Sequence, residues 1–222
     1  RIRNKRIDLR LNNEPSLVTK THNIIKKLQK NNINKLIIVD CCVDANPETV
    51  KEVEKFAKIL VVDHHEICKD INSKRTVFIK PTLLDKKDDG AQYCASKFLF
   101  DLSPIDIEDL DWISAIGILG DMNQKRWKNF VNKVFKKYKL KQNKDIYKTT
   151  LGRITNLLDY ACVLREAEAG FWKVYASIKP SELLKLTKEY SKIEKEINYW
   201  VGNYKKLAEH HGDLIFYEIE PK

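Results

Sequence analysis

The chain has 222 residues, 43% of them hydrophobic, with 41 Lys and Arg against 31 Asp and Glu and a formal net charge of +10. This length and apolar content exclude a disordered chain and accommodate one domain with a sizeable core plus a smaller appendage. No apolar run approaches the length of a membrane span, so no membrane partner is expected, and the positive balance favours a polyanionic one.

The chain opens on the basic stretch Arg1–Arg6 without an initiator Met. The pattern predicts a first helix over Pro15–Gln29, with Leu17, Ile24, Ile25 and Leu28 toward a sheet. Lys35–Val39 is a short β-branched run ending in Asp40. Asn46-Pro47-Glu48 then starts a helix: a capping residue, Pro at the first helical position and an acid in the first turn. This helix runs to about Ala57 with Val50, Val53 and Phe56 on one face. A second apolar run, Ile59–Val62, ends in Asp63-His64-His65. Strand, helix, strand is a βαβ unit, whose crossover makes its strands parallel. Asp40 and Asp63 therefore share the carboxyl edge of the sheet, where α/β proteins bind ligands. Imidazole suits Mn, Zn or Fe, and a neighbouring carboxylate can orient the ring. Adjacent histidines in a loop also read as solvated or capping residues.

A third strand, Thr76–Ile79, stops at Lys80-Pro81, where Pro removes a ladder donor. The acidic loop Leu84–Gly90 reads as a solvated turn or a metal or phosphate loop. A helix begins at Gly90-Ala91, carries Tyr93, Ser96, Lys97 and Leu99, and ends at Ser103-Pro104. The apolar helix Trp112–Gly120 is followed by Asp121, either a ligand delivered from a helix end or the residue after a Gly cap. Asn123–Lys148 is basic with interleaved aromatics, the composition of a nucleic-acid platform. Trp127, Val131, Val134 and Tyr138 fall at helical spacing, which places the aromatics in a core and leaves the lysines for backbone contact. Thr155–Leu164 reads as another apolar helix. Leu183, Leu186, Tyr190, Ile193, Ile197, Trp200, Tyr204 and Leu207 form a heptad-like stripe on one long helix, Ser181–Glu209. Gly212 ends that helix, and a strand follows over Asp213–Glu220. The five cysteines are odd in number and lack C-x-x-C spacing, which fits a reducing cytoplasm. Cys41 and Cys42 follow Asp40 either as small buried side chains or as soft-metal donors.

The runs Val39-Asp40-Cys41, Val61-Val62-Asp63-His64-His65 and Gly117-Ile118-Leu119-Gly120-Asp121, in that order, resemble motifs two to four of the DHH phosphoesterase superfamily. That superfamily includes RecJ-type exonucleases, nanoRNA and cyclic-dinucleotide phosphodiesterases, and family II pyrophosphatases and polyphosphatases. The Gly-Ile-Leu-Gly-Asp form and the helices after it resemble the archaeal RecJ-like branch most. The resemblance implies an α/β fold with a mainly parallel, doubly wound sheet, then a helical segment and a long linker helix. It implies a two-metal site, Mn2+ or Mg2+, with Asp40 bridging both ions and His64 and Asp121 completing the second. His65 would contact the scissile phosphate and Asp63 would support the imidazoles.

The family's first motif, a strand followed by Asp-x-Asp, has no counterpart before Asp40, where the only acids are Asp8 and Glu14. The Gly-Gly-Gly-His stretch of the DHH-associated domain is also absent, and Arg165 matches a RecJ-like arginine without its preceding Gly. A fragment of a longer protein, a split-chain partner or a degenerate site would each account for this. The expected organisation is an α/β core over 1–122, its helical part over 123–180, and a linker helix with the first strand of a truncated domain over 181–222. The expected activity is metal-dependent hydrolysis of phosphodiester bonds in single-stranded DNA, RNA or short oligonucleotides. The alternatives are a pyrophosphatase or polyphosphatase, or a catalytically degenerate RecJ-like scaffold among replication and repair proteins. The stripe after Ser181 allows a homodimer.

Overall fold

The computed structural model describes residues 21–104, 107–163, 173–174, 177, 179–188 and 191–218. Helix α1 (Thr21–Lys30) leads into strand β1 (Lys35–Val39), helix α2 (Pro47–Glu54), strand β2 (Lys58–Val62) and strand β3 (Thr76–Ile79). The strands form a parallel sheet in the order β1-β2-β3, with Ile38 beside Val61 and Val61 beside Phe78. The chain is thus a mixed α/β protein with a small parallel sheet.

Period-two alternation divides the sheet into two faces. Ile38, Ile59, Val61 and Phe78 pack in one core with Ile24 and Leu28 of α1 and Val50 and Val53 of α2. Ile25 and Phe56 join that core partly buried, while the expected contribution of Leu17 lies outside the described residues. On the other face Ile37 and Val77 are 67% and 54% exposed. Pro47 occupies the first turn of α2 as its fixed φ favours, whereas Asn46 holds the cap position without a side-chain cap bond.

After β3 come the single turn α3 (Pro81–Leu84), α4 (Ala95–Leu102), α5 (Asp111–Gly120) and α6 (Lys128–Lys137). Gly90–Gln92 forms a separate 3₁₀ turn, so the helix expected from Gly90 starts at Ala95. Trp112, Ser114, Ala115, Ile116, Ile118 and Leu119 of α5 are all buried, as an apolar stretch without a polar face must be. Helix α6 buries Val131, Val134 and Phe135 and exposes its lysines. Trp127 and Tyr138 stand at its two ends, half-buried.

Helix α7 (Thr150–Val163) starts five residues before the expected Thr155. Thr149 explains the shift. Its Oγ1 accepts the Gly152 amide at 3.2 Å. That is a side-chain cap, which hydrophobic period alone does not reveal. Arg165 lies outside the described residues. Two compact units separate at this helix, Arg1–Thr155 and Asn156–Lys222. In the second, the long helix expected over Ser181–Glu209 is instead a 3₁₀ run, Pro180–Lys188, followed by α8 (Ser191–Leu207). Leu183 and Leu186, three residues apart, suit the 3₁₀ repeat as well as a heptad step. Gly212, at φ +63°, does not cap a helix. It turns a hairpin between β4 (Glu209–His211) and β5 (Leu214–Phe216), and the strand expected over Asp213–Glu220 is this shorter β5.

Candidate metal centre

Asp40 and the Asp63-His64-His65 triplet leave adjacent parallel strands at the same edge. The sheet ladder continues past both strand ends: the Asp40 amide donates to Val62 O at 3.0 Å and the Asp63 amide to Ile79 O at 3.1 Å. Asp40 then turns sharply, with φ at +57°. This left-handed conformation is one that Asp tolerates better than most residues. Its carboxylate Oδ1 lies 3.2 Å from His64 Nε2. Asp121, at the C-terminus of α5, reaches the same nitrogen, at 3.6 Å. Met122, next to Asp121, also has positive φ, +55°, so the chain reverses close to each acid. His65 brings a ring nitrogen within 4.8 Å of the ligand atoms of Asp40 and His64.

The two imidazoles are held by different partners. Nδ1 of His64 faces the Gly90 carbonyl at 3.3 Å. A carbonyl and a carboxylate both only accept, so Nδ1 faces Gly90 as a donor, and Nε2, turned toward the two acids, donates to Asp40 when it too is protonated. His65 Nδ1 pairs with Asp63 Oδ1 at 2.7 Å. Asp63 therefore supports His65, while His64 takes its support from a backbone carbonyl.

Lys80 and Asp44, outside the sequence motifs, complete the arrangement. Lys80 Nζ donates to both carboxylate oxygens of Asp44 at 3.1 Å and to Glu66 O at 2.8 Å. It also sits 3.0 Å from Asp63 Oδ2, a Coulombic contact because that oxygen receives no aligned hydrogen bond. The side chains of Lys80, Asp44 and Asp63 are wholly inaccessible to water. Asp44 Oδ2 further accepts the Cys68 amide at 2.8 Å, which ties down the loop after the histidines. The position of Lys80 at the carboxyl end of β3 is the one sequence signal that could have found it.

Proton affinities follow from these contacts. Burial alone would raise the Asp63 pKa, but the hydrogen bond with His65 and the ammonium of Lys80 outweigh it and hold the carboxyl below its ordinary range. The hydrogen bond to Asp40, with the charges of Asp40 and Asp121, raises His64 against the opposing effect of burial. Asp121 is raised by burial and by repulsion from Asp40, offset in part by His64. Burial likewise raises Cys41 and pushes Cys42 up to about 11. Both thiols are therefore protonated at neutral pH when no metal is bound.

Asp40, His64 and His65 thus form a group that could hold a metal ion, with the Asp121 carboxylate beside His64. Cys42 also falls into two other groups, with Asp44 and Cys68 and with Asp63 and His65, but both oxygens of Asp44 are engaged by Lys80, and Asp63 is paired with His65 and lies 3.0 Å from Lys80. No protein-family model, curated protein or solved structure matches this chain.

Proposed function

We propose that this chain is a DHH-type, divalent-metal-dependent phosphoesterase of the RecJ-like kind, acting on phosphodiester bonds of single-stranded nucleic acid or short oligonucleotides. The proposal includes the doubly wound DHH fold, of which the parallel sheet β1-β2-β3 would be part, and a cytoplasmic location. The observation that carries it is the convergence of Asp40 and Asp121 on one nitrogen of His64, at 3.2 and 3.6 Å, with His65 alongside.

Asp40, His64 and Asp121 would hold the metal, with Asp40 shared between two ions as the resemblance implies. When bound, the divalent metal supplies Lewis acidity and positive charge for a phosphate whose negative charge grows in the transition state. The chain's own groups do the rest. His65 is half exposed and oriented through Nδ1 by Asp63. With both ring nitrogens protonated, its Nε2 is a donor for a phosphoryl oxygen. The Asp63 carboxylate then balances the charge on that ring. Lys80 keeps Asp63 ionised without drawing water into the buried layer beneath.

The test is hydrolysis of short single-stranded DNA and RNA by the full chain with Mn2+ or Mg2+, beside an Asp40→Ala variant. Turnover lost in the variant, together with lost Mn2+ affinity, supports the assignment. Hydrolysis of pyrophosphate but not oligonucleotide would move the chain to the pyrophosphatase and polyphosphatase class. A second reading is a catalytically silent RecJ-like scaffold in a replication or repair assembly. Mn2+ binding without turnover on any of these substrates would select it.

A further inference from the structure

The Gly90 carbonyl that faces His64 belongs to a loop, not to a strand or helix of regular length, and something must hold it at that spot. The segment directly after Asp121 does so. Asn123 Nδ2 donates to Ala91 O at 3.1 Å, Arg126 Nη1 to Asp89 O at 3.1 Å, and Trp127 Nε1 to Gln92 O at 2.9 Å. Three side chains of one short stretch thus take the carbonyls on both sides of Gly90. Arg126 adds a bidentate pair with Asp88, at 2.7 and 2.9 Å. Its guanidinium lies over the rings of Tyr93 and Trp127 at 5.2 and 5.1 Å. The Gly90 carbonyl has two lone pairs. One accepts the Tyr93 amide at 3.0 Å and the other faces His64. The approach is close, since a Cβ on Gly90 would stand 2.8 Å from the His64 carbonyl oxygen.

We infer that Asn123, Arg126 and Trp127 form a clamp whose work is to position His64: they hold the Gly90 carbonyl against Nδ1 and thereby keep Nε2 aimed at Asp40 and Asp121. The clamp and Asp121 belong to one continuous stretch, so a single segment sets both a ligand of the proposed metal and the orientation of another. These are positioning residues and touch neither metal nor substrate. The inference rests on the metal-centre reading for its purpose, but not for its geometry.

The experiment reads the two separately, on the full chain. Nitrogen-15 spectra of the His64 ring with carbon-13 spectra of the Gly90 carbonyl, recorded without metal, report the hydrogen bond between them. Mn2+ titration reports affinity. In the unaltered chain Nδ1 should donate to the Gly90 carbonyl. Arg126→Gln should weaken that hydrogen bond and lower Mn2+ affinity, by no more than the about 10–100-fold that loss of a direct outer-shell partner costs. Arg126→Lys keeps the charge without the fork and should fail to restore either. Trp127→Phe, which removes the ring N–H and trims the indole to a phenyl ring, should give a smaller shift the same way and serves if Arg126→Gln does not fold. An unchanged hydrogen bond and unchanged Mn2+ affinity in the folded variants would overturn the clamp. A weakened hydrogen bond in Arg126→Gln, in a chain that binds no Mn2+ even unaltered, would uphold the clamp and remove the metal reading instead.

Discussion

Lys80 lies with its whole side chain out of water between Asp44 and Asp63 and donates to Asp44 and to the Glu66 carbonyl. Two buried carboxylates this close together are tolerable only with that cation in place. Replacing Lys80 with Met should therefore cost about 3–5 kcal/mol in denaturant unfolding, the range for breaking a buried pair on one side. Asp63 also sets a pH dependence. Its folded pKa lies below the ordinary 3.8. Its contribution is thus fully present above that ordinary value and is lost as the pH falls through the folded pKa. Asp63→Asn should accordingly flatten the loss of stability below about pH 4 that the unaltered chain shows in acid titration, as followed by circular dichroism. The same variant tests chemistry as well as folding. Asn can still accept from His65 but brings no charge to it, so turnover should fall while Mn2+ affinity stays.

At the scale of elements, the delivery of Asp121 depends on how closely α5 packs on α4. Gly117 makes that approach possible: a Cβ there would collide with Ser96. Gly117→Ala should destabilise the chain by about 1–3 kcal/mol, as overpacking does, and should move Asp121 away from His64. Thermal unfolding measures the first effect. Mn2+ titration measures the second, with affinity expected to fall in the folded variant. A second brace joins α4 to α6 through Lys97, which is buried and paired with Asp101. Its ammonium lies 4.3 Å from the Trp127 ring and 4.7 Å from the Phe130 ring. This cation–π cluster fixes the start of α6, and with it the stretch that grips the Gly90 loop.

For the molecule as a whole, the net charge of +10 concentrates in part between Lys125 and Lys148, where the lysines and Arg126 are exposed. Lys128, Lys133 and Lys136 of α6 are exposed on the side away from its buried Val131, Val134 and Phe135, whereas Lys137 pairs with Asp111 at 3.0 Å. If single-stranded nucleic acid is the substrate, replacing Lys125, Lys133 and Lys136 together with Gln should weaken oligonucleotide binding at low salt. It should also reduce the slope of log affinity against log salt by about 2, at roughly 0.7 for each phosphate left without its lysine. Fluorescence anisotropy across a salt series checks this. An unchanged slope would assign those lysines to solvation alone. Among the described residues, no helix is long and apolar enough to cross a membrane.

Much of this arrangement was legible in the chain itself because it depends on local chemistry. Short continuous apolar runs, Pro47 at a helix start and the apolar segment ending in Gly120 determine β1, β2, α2 and α5 within a few residues. Parallel strands then bring Asp40 and Asp63-His64-His65 to one edge, whatever the rest of the chain does. What remained hidden was the meeting of groups far apart in sequence. Lys80 reads as an end to β3, Asp44 as a loop acid and Arg126 as one of many surface cations, until packing sets them against Asp63, Lys80 and the Gly90 loop. In the second unit, a three-and-four stripe over Leu183–Leu207 fits a long helix and also a 3₁₀ run followed by a shorter helix. Only the folded backbone separates them, because side-chain spacing alone differs too little between about 3.0 and 3.6 residues per turn over two turns.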